Sequence, residues 1–448
     1  MIEVITTNFQ TGLFWHKEYL PVQRNEELNP MVLVNCYENL LKQSILGFGG
    51  AFTEAGAYVL SQLDEEKQDV VMASYFSEEG LKYNLGRTHI NSCDFALGNY
   101  DYTDGVDDIT KFSIDRDRMY LIPMIKKAVT KKGGPITLLA SPWSPPAYMK
   151  SNHQMNDGGY LLRKHYESWA RYIVTYLAEY ETEGILIDYL TIQNEPQARQ
   201  TWDSCIYSSQ EEQTFIKEAL SPMLKKTGYG SVKILIWDHN KESMYDRALE
   251  VLEDDEVREC VAGVGFHWYT GEHFDGVRLV HERYPEKELI FTEGCVEFSR
   301  YDGANEIAMA EHYAHDMIGN FQAGMNGFID WNLVLDSEGG PNHKENYCAA
   351  PIMCDTKHNR VLHKLMYYYI GHFSRYIKAG ARRIETTKYC KDIEVVACKN
   401  KDGEVIVVIL NLSENKREVA VKLHHDHEPL GCSLTMEPHT IKTLRFSF

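Results

Sequence analysis

The sequence is poor in positive charge, and this deficit argues against several classes of partner. Its 46 Lys and Arg residues are outnumbered by 65 Asp and Glu residues, which gives a formal net charge of −19. Proteins that bind nucleic acid or anionic membrane surfaces need clustered Lys and Arg to contact phosphate groups. We therefore expect no nucleic acid partner, and a neutral small molecule fits the charge balance better.

The sequence also lacks paired cysteine motifs and long apolar runs. Its ten cysteines form no C-x-x-C pair, and no Cys/His cluster has the spacing of a zinc site. The first ten residues, MIEVITTNFQ, lack the basic region and apolar core of a signal peptide. No apolar run reaches the roughly 18 residues that span a bilayer. We expect reduced, mostly buried thiols, no integral membrane segment and a cytoplasmic location.

Short apolar runs alternate with longer helical patterns along most of the chain. At 448 residues the chain exceeds the usual size of a single core, so we expect two domains, or one large barrel with an appendage. The runs that predict strands are 45–52, 83–90, 135–143, 188–195, 232–238, 263–269, 288–294 and 326–336. The patterns that predict helices lie near 54–76, 115–132, 160–183, 209–227, 243–253, 274–284, 304–324 and 360–375.

Eight strands, each followed by a helix, predict an α/β fold of the (β/α)8 TIM-barrel type. A doubly wound sheet is the alternative, and it is weakened because no G-x-G-x-x-G follows the first strand. Both chain ends instead alternate apolar and polar residues with turn signals between them, which predicts antiparallel strands. We therefore predict a catalytic barrel over 45–375 and a side β-sandwich built from 1–44 and 376–448.

Two glutamates directly follow apolar runs, at the ends of the fourth and seventh predicted strands. They are Glu195 and Glu293. A barrel gathers the carboxyl ends of its strands around one pocket, so both would face the same substrate. Two carboxylates facing across a sugar are the arrangement that glycosidic hydrolysis needs. Arg87, at the end of the second strand, would keep one glutamate ionised. The negative charge of that glutamate, together with partial burial, would hold the other glutamate protonated.

Other strand ends carry groups that suit a sugar, although each has an ordinary structural explanation. Arg87 could be a structural ion-pair partner, Asp94 could cap a helix, and His267 could be a core histidine. Polar or aromatic residues at most of eight strand ends are nevertheless hard to explain by stability, which favours a site. The tryptophans that would offer apolar faces to a sugar ring are Trp143, Trp268 and Trp331.

On eight segments the sequence resembles glycoside hydrolase family 30, and within it the glucosylceramidase-like branch. The segments occur in the family's order and cover nearly the whole chain: GFGGAFTEA, YFSEEGLKYNLGRTHINSCDF, LLASPWSPPAYMK, TIQNEP, FHWYTG, FTEGC, DWNLVLDSEGGPN and YYYIGHFSRYIKAG. The resemblance implies a (β/α)8 barrel with a side β-sandwich formed from both chain ends, which agrees with the strand pattern.

The resemblance also implies roles for individual residues. The glutamate of the N-E-P motif is implied to be the acid/base, which is Glu195, and the asparagine before it, Asn194, to contact the sugar 2-hydroxyl. The glutamate of the T-E-x-C motif is implied to be the nucleophile, which is Glu293. The arginine that ends the second strand, Arg87, is implied to lie beside the nucleophile.

Six further residues are implied to bind the sugar. In the family, the aspartate of S-C-D-F and the tryptophans of S-P-W and D-W-N contact the sugar. The histidine and tyrosine of H-W-Y are implied to lie at the edge of the site. An asparagine in the loop after G-G-P-N is implied to lie there as well. In this sequence these residues are Asp94, Trp143, Trp331, His267, Tyr269 and Asn346. No metal or other cofactor is expected, because two carboxylates and polar sugar-binding groups supply the whole reaction.

The implied function is retaining hydrolysis of β-glucosides, of the glucosylceramide type or another. Other branches of the family cleave β-1,6-glucan, β-xylosides or β-fucosides, so these remain alternatives. A carbohydrate-binding barrel without activity is a non-enzyme alternative. A barrel aldolase or isomerase would need a Schiff-base lysine or a metal cluster at the strand ends, and none of the predicted strand ends carries a lysine. The natural aglycone, exo or endo action, the pH optimum and the oligomeric state are left open.

Overall fold

Eight parallel strands close into a barrel, as predicted. The computed structural model describes residues 1–24, 28, 32–300, 305–425 and 428–447. Each strand pairs with its neighbours in chain order, and the eighth pairs with the first, with Phe328 opposite Phe48. The barrel strands are Gly47–Phe52, Leu85–Ile90, Thr137–Pro142, Tyr189–Thr191, Lys233–Asn240, Val261–His267, Glu288–Glu293 and Gly327–Asp330.

Closure of the barrel requires a glycine in its first strand. A Cβ atom at Gly49 would lie 2.1 Å from the carbonyl oxygen of Leu85 in the second strand. No side chain fits this gap, so only glycine allows the two backbones to approach so closely. The GFGG sequence of the first strand therefore reflects strand packing.

Helices surround the barrel on its outer side. The α-helices are Glu54–Ser61, Glu65–Phe76, Asp115–Met119, Leu121–Lys132, Tyr166–Thr182, Ser209–Phe215, Ser221–Thr227, Met244–Leu252, Asp255–Cys260, Phe274–Arg283, Glu306–Ala323 and Leu365–Ser374. A π-helical segment, Ile216–Leu220, joins two of them. Short 3₁₀ helices occur at Ile109–Lys111, Ala147–Met149, Arg163–His165 and Lys241–Ser243.

Several predicted helices differ from those observed. The helical stretches expected around 54–76 are two helices, because the Asp64 side chain accepts a hydrogen bond from the backbone N–H of Lys67 and so begins a second helix. The helix expected near 115–132 is also divided, into Asp115–Met119 and Leu121–Lys132. The helix expected over 360–375 begins only at Leu365. The residues before it, Arg360–His363, form a strand with alternating exposure.

The eighth predicted strand, 326–336, is also two elements. The barrel strand ends at Asp330, and Val334–Asp336 joins a small sheet with Ile352–Asp355 and Arg360–His363. A second small sheet pairs Val296–Glu297 with Cys348–Ala349. Both small sheets lie in loops that follow the seventh and eighth barrel strands, at the carboxyl ends of the strands.

Both chain ends contribute to one sheet of ten strands beside the barrel. The strands are Ile2–Asn8, Leu13–Leu20, Gln23–Arg24, Leu33–Ser44, Arg382–Lys388, Ile393–Lys399, Val405–Asn411, Arg417–His425, Glu428–Met436 and Thr440–Phe446. Neighbouring strands are antiparallel, except that Leu33–Ser44 runs parallel to Arg417–His425. Apolar side chains from both chain ends, such as Val4 and Val407, share one core. The predicted side β-sandwich is therefore confirmed.

All ten cysteines lie in the described part of the chain and are free thiols, eight of them buried. Burial of an uncharged thiol in apolar surroundings raises its pKa, and Cys36 and Cys205 illustrate this with pKa values of about 12. Such thiols act as small packing groups. Among the described helices, none is both long and apolar enough to cross a bilayer.

A histidine on the helix Glu306–Ala323 links the barrel to the side domain. Nδ1 of His315 lies 2.8 Å from Glu394 of the side domain, and Nε2 lies 3.2 Å from Glu272 of a barrel loop. The hydrogen bond to Glu394 raises the pKa of His315, although burial opposes this. The imidazole is thus clamped between carboxylates of both domains.

A second clamp of the same kind lies one turn earlier on this helix. Nδ1 of His439, from the side domain, lies 2.9 Å from Glu311 on the helix, and Nε2 lies 3.0 Å from Glu414. Burial opposes the charge of this imidazole, but Glu311 and Glu414 outweigh it and raise the pKa of His439. Two histidines therefore gain their charge more readily in the folded chain than in the unfolded one.

We expect the two clamps to lose their stabilising contribution as the pH rises above about 6.5, the pKa of an unfolded histidine. Since both folded pKa values are raised, the two clamps contribute fully below that pH, and their contribution is lost as the pH passes through the folded values. Partly exposed pairs contribute about 0.2–1 kcal/mol each. The clamps should therefore account for a fall in Tm of about 1–3 °C between pH 6 and pH 8.

Thermal melting of wild type and of the double variant His315→Gln/His439→Gln at both pH values measures this effect. The double variant should show a smaller difference between the two pH values, whereas the exposed-loop control His153→Gln should behave as wild type. An unchanged pH dependence in the double variant would show that the clamps do not contribute.

Candidate active site

A cavity of about 200 Å³ opens at the carboxyl ends of the barrel strands. Two larger grooves, of about 700 and 550 Å³, lie between outer helices and at the opposite strand ends. Barrel enzymes place their chemistry at the carboxyl ends, so position selects the smaller cavity. Eight of the ten site residues implied by the family resemblance line it: Asp94, Trp143, Asn194, Glu195, Tyr269, Glu293, Trp331 and Asn346. The other two, Arg87 and His267, are fully buried directly behind this lining.

The fourth strand ends early, and the loop that follows it is anchored on both sides. The backbone N–H of Asn194 donates to the carbonyl of Pro142 at 2.8 Å, and that of Glu195 donates to the carbonyl of Asp238 at 2.9 Å. Glu195 itself has a positive φ of 48°, which a residue with a Cβ adopts only at some cost. The loop thus fixes Glu195 between the third and fifth strands.

Arg87 connects the carboxylates and the amide of the site. Its guanidinium donates to Glu293 at 2.6 Å, to Asn194 at 2.8 Å and to Asp238 at 2.9 Å. The Nε–H donates to Ser141 at 3.1 Å. A buried guanidinium is stable only when its donors and its charge are matched, and this set of acceptors meets both needs.

Trp143 and Trp331 stack on one another beside this guanidinium. Their ring centroids are 5.2 Å apart with an angle of 20° between the planes. The Arg87 guanidinium lies 4.7 Å from the Trp143 ring and 5.5 Å from the Trp331 ring. Contact with a cation holds both rings in place. They therefore form a rigid apolar wall at one side of the cavity.

His267 bridges two carboxylates from below the cavity. Its Nδ1 lies 3.3 Å from Glu195, and its Nε2 lies 3.1 Å from Asp238. Burial alone would lower the pKa of His267, but the charge of Glu293 and the contacts with Asp238 and Glu195 raise it to about 9. The ring is therefore an imidazolium at neutral pH.

The charges of this cluster balance when the two glutamates share one proton. Arg87 and His267 carry two positive charges. Burial opposes the charge of Asp238, but Arg87 and His267 outweigh it and hold its pKa well below the usual range. Asp238 and one ionised glutamate then complete a neutral set. A second ionised glutamate would leave an uncompensated buried charge, which is costly.

The two glutamates that share this proton lie in different electrostatic surroundings. Burial opposes the charge of Glu195, but the hydrogen bond and the charge of His267 lower its pKa. Burial, together with the charge of Glu195, raises the pKa of Glu293. The reason is that the charged ring of His267 contacts Glu195, while the charge of Arg87 is divided between Glu293 and Asp238. The two sites titrate as a pair, because a charge on one opposes ionisation of the other.

Removal of the His267 charge should move the pH dependence of activity in a defined direction. Loss of a nearby positive charge disfavours both carboxylates, so the variant His267→Asn should raise both of their pKa values by about one unit. Both limbs of the pH profile of kcat/KM should therefore move to higher pH. A profile that falls in height without moving along the pH axis would contradict this role.

The sugar-binding side of the cavity contains a buried aspartate. Burial, followed by the charge of Glu293, raises the pKa of Asp94 to about 8. Its Oδ2 accepts a hydrogen bond of 3.1 Å from the side chain of Asn342. Asn342 also accepts the backbone N–H of Asn346 at 3.2 Å and so shapes the loop that carries Asn346. Below pH 8, Asp94 can donate a hydrogen bond as a neutral acid.

Several residues that the structure brings to the site are not predicted from the sequence. Asp238, which pairs with Arg87, and Asn342, which holds Asp94, were not predicted as site residues. The polar end of the fifth strand and the G-G-P-N motif were the available signals. Further lining residues come from loops whose sequences indicated no role: Gln200, Trp202, Glu297 and Arg300.

The prediction for Trp268 is wrong. Its ring packs outside the barrel against Phe291 and Tyr313, with centroid distances of 5.5 and 4.8 Å. Successive residues of a strand point to opposite sides, so His267 and Tyr269 face the cavity and Trp268 between them cannot.

One group of described His and carboxylate side chains could hold a metal ion by distance alone. It consists of Glu195, His267 and Glu293, whose ligand atoms lie within 4.8 Å of one another. Both ring nitrogens of His267 already face carboxylates, however, and Arg87 brings a positive charge to the same group. We therefore assign no metal to it.

The carboxylate pair at the mouth of the barrel defines the class of the protein. An oxygen of Glu195 lies within 4.8 Å of an oxygen of Glu293, and an arginine and two stacked tryptophans adjoin them. Glycosidic bonds are hydrolysed by such pairs, so the fold and the site define a barrel glycoside hydrolase. Residues 45–377 match the Glycosyl hydrolase family 30 TIM-barrel domain, and residues 380–444 match the Glycosyl hydrolase family 30 beta sandwich domain. The chain belongs to glycoside hydrolase family 30.

Individual relatives agree with this assignment. Putative glucosylceramidase 4 of Caenorhabditis elegans is 32% identical over 435 residues, which cover 92% of this chain and 82% of the relative. The crystal structure of SrfJ from Salmonella typhimurium superposes over 100% of both chains with a TM-score of 0.96 and 38% identity. The endo-β1,6-glucanase BT3312 superposes over 100% of this chain and 99% of its own, with a TM-score of 0.88 and 25% identity.

Proposed function

We propose that the protein hydrolyses β-glucosides with retention of the anomeric configuration. The observation that carries this proposal is the short separation of the two carboxylates, whose nearest oxygens lie within 4.8 Å. Retaining enzymes have carboxyl groups about 5–5.5 Å apart, whereas inverting enzymes need about 6.5–9.5 Å to admit a water. The separation supports direct attack by a carboxylate.

In the first step Glu293 attacks the anomeric carbon and Glu195 gives its proton to the departing oxygen. The proton that the pair shares lies on Glu195 when this step begins. Arg87 and the hydroxyl of Tyr269, which donate to Glu293 at 2.6 and 3.0 Å, stabilise the ionised form of Glu293. In the second step Glu195 removes a proton from a water molecule whose oxygen attacks the anomeric carbon. The bond from that carbon to Glu293 breaks, and the sugar is released.

The size of the cavity supports removal of a single terminal sugar. A volume of about 200 Å³ corresponds to about seven water molecules of roughly 30 Å³ each. One pyranose ring fits this space, and a second ring must lie outside it. The cavity therefore favours exo action over cleavage within a long glucan chain.

The similarity to glucosylceramidases supports an aglycone with an apolar part. A glucosylceramide-like substrate combines a single sugar with such a group. It is also the substrate type in the name of the C. elegans relative.

Cleavage of β-1,6-linked glucan is the second candidate. It is favoured by the likeness to the endo-β1,6-glucanase BT3312, which extends over the whole chain at 25% identity. A glucan would extend from the cavity past its rim, where Trp202 offers an aromatic face to a second sugar ring.

These candidates can be separated by initial rates on three kinds of substrate. The substrates are aryl β-glycosides (glucoside, xyloside, fucoside and galactoside), glucosylceramide in detergent micelles, and β-1,6-linked gluco-oligosaccharides. We expect the aryl β-glucoside and glucosylceramide to be cleaved best, with glucose as the product. Release of longer fragments from the oligosaccharides would favour the glucanase, and a different preferred glycone would correct the sugar. Absence of turnover on every substrate would contradict the proposal.

A further inference from the structure

His239 lies beside the acid/base residue on the side of the cavity where a leaving group departs. Its Nε2 is 3.9 Å from Oε1 of Glu195, and the residue is 8% exposed. It lines the cavity together with Gln200 and Trp202, which follow Glu195 in the chain. The sugar-binding residue Asp94 comes from a different strand end.

An unusual backbone brings His239 to this place. The two residues before it, Trp237 and Asp238, have positive φ angles of 72° and 53°. The pairing register with the sixth strand shifts at the same point, between Gly265 and Phe266. Residues of a regular strand would point to opposite sides, but here Asp238 contacts Arg87 and His239 contacts the cavity. Strained backbone of this kind persists where the surrounding structure requires it, and it is concentrated at functional sites.

The surroundings of the ring determine which nitrogen carries its proton. Nδ1 of His239 is buried and has no hydrogen-bond partner. Burial lowers the pKa of the ring, so it is neutral near pH 7 and carries one N–H. A buried N–H without an acceptor is rarer and more costly than a buried lone pair. The proton therefore lies on Nε2, which faces Glu195.

The distance between His239 and Glu195 leaves room for one oxygen atom between them. At 3.9 Å the two side chains are too far apart for a hydrogen bond with each other. An oxygen placed about 2.8 Å from both atoms would complete a hydrogen bond with each. The leaving-group oxygen must lie at this distance from Glu195 to receive its proton.

We propose that the Nε2–H of His239 donates a second hydrogen bond to the leaving-group oxygen. This inference rests on the proposed glycosidase function. As the bond between the anomeric carbon and this oxygen breaks, the bonding electrons pass to the oxygen and the proton of Glu195 is transferred to it. The carboxylate of Glu293 forms the new bond to the anomeric carbon. His239 keeps its proton throughout and stabilises the negative charge that develops on the oxygen.

The contribution of His239 must grow with the basicity of the leaving group. A weakly basic group such as 2,4-dinitrophenolate departs with little help, whereas phenolate carries more charge on its oxygen. A hydrogen bond to a charged group is stronger than one to a neutral group. A residue that only packs beside Glu195 would instead affect all leaving groups alike.

The test measures kcat/KM, which reports only the first step, for a series of aryl β-glycosides from 2,4-dinitrophenyl to phenyl. His239→Phe keeps a ring against Trp237 but removes the donor, His239→Met removes both, and His239→Gln retains a donor. Asp94→Asn is the matched control on the sugar-binding side. For the Phe and Met variants we expect a loss of about 10- to 100-fold on phenyl glycoside and less than about threefold on 2,4-dinitrophenyl glycoside. The Gln variant should lose less, and Asp94→Asn should lose equally across the series.

Equal losses for all leaving groups in the Phe and Met variants would overturn the inference while wild-type turnover still supports the glycosidase. A wild-type enzyme that cleaves none of these substrates would overturn the proposed function and the inference together. The two failures are therefore distinguishable. If the Phe variant does not fold, the Met variant provides the same comparison.

Discussion

The variant Glu293→Gln is expected to lose about 10⁴- to 10⁶-fold in kcat/KM, the range observed when a catalytic nucleophile is removed. Glutamine has nearly the shape of glutamate but cannot attack the anomeric carbon. Arg87 retains Asp238 and Asn194 as partners in the variant, so the site should keep its structure. Initial rates on the best aryl glycoside measure the loss, and a thermal melt shows whether the variant is folded.

A second carboxylate provides the matched control for this prediction. Glu297 lies four residues further along the chain, lines the same cavity and pairs with Arg300 at 3.0 Å. Glu297→Gln should keep activity within about tenfold of wild type, because its carboxylate pairs with Arg300 and not with Arg87. Activity lost with Glu297→Gln and kept with Glu293→Gln would exchange the two assignments.

Chemical rescue identifies the nucleophile more sharply. In Glu293→Gly, azide can enter the space left by the side chain and attack the sugar in its place. The product would be a glycosyl azide of inverted configuration, since only one displacement has occurred. Rescue that gives a product of retained configuration would assign Glu293 to the acid/base role instead.

The second large effect is expected from Glu195→Gln. General acid catalysis contributes about 10²- to 10⁴-fold, so kcat/KM on phenyl glycoside should fall by this amount. The loss should be small on 2,4-dinitrophenyl glycoside, whose leaving group needs no proton. The second step needs Glu195 as a base, and therefore kcat should remain low even for this substrate.

Azide also distinguishes the acid/base from the nucleophile when it is added to a variant of Glu195. In Glu195→Ala, azide should accelerate turnover of 2,4-dinitrophenyl glycoside by attacking the glycosyl-enzyme, and the product should have retained configuration. Failure of azide to increase kcat, or a loss that is equal for both leaving groups, would contradict the acid/base role. Release of dinitrophenolate at 400 nm and NMR of the azide product provide the two measurements.

Much of the barrel and of its site follows from local sequence patterns. Apolar runs that end in polar residues predict strands whose carboxyl ends face a substrate, and Glu195 and Glu293 were found in this way. Alternation within a strand also explains the one wrong tryptophan, because Trp268 lies between two residues that face the cavity. The alternation was visible in the sequence F-H-W-Y, so this error was avoidable.

The ionisation of the glutamates could not be predicted in the same way. It depends on how the charge of Arg87 is divided and on which imidazoles face Glu195. These groups come from the second, fifth and sixth barrel strands, so their distances exist only in the folded chain. The place of His239 depends on the left-handed backbone at Trp237 and Asp238, which no feature of the sequence indicates.

The pairing of the side domain shows a similar limit. Alternating apolar residues predict its strands, and the structure confirms a sheet built from both chain ends. Alternation does not specify partners, however. The parallel pairing of Leu33–Ser44 with Arg417–His425 joins distant parts of the chain and depends on how the barrel brings the two ends together.

The stereochemistry of the first-formed sugar tests the central claim most directly. ¹H NMR spectra recorded during rapid hydrolysis of the best β-glycoside show which anomer appears before mutarotation. Double displacement by Glu293 and Glu195 predicts that the β-anomer appears first and the α-anomer follows slowly. An α-anomer that appears first would contradict the account, because a water and not Glu293 would then have attacked the sugar.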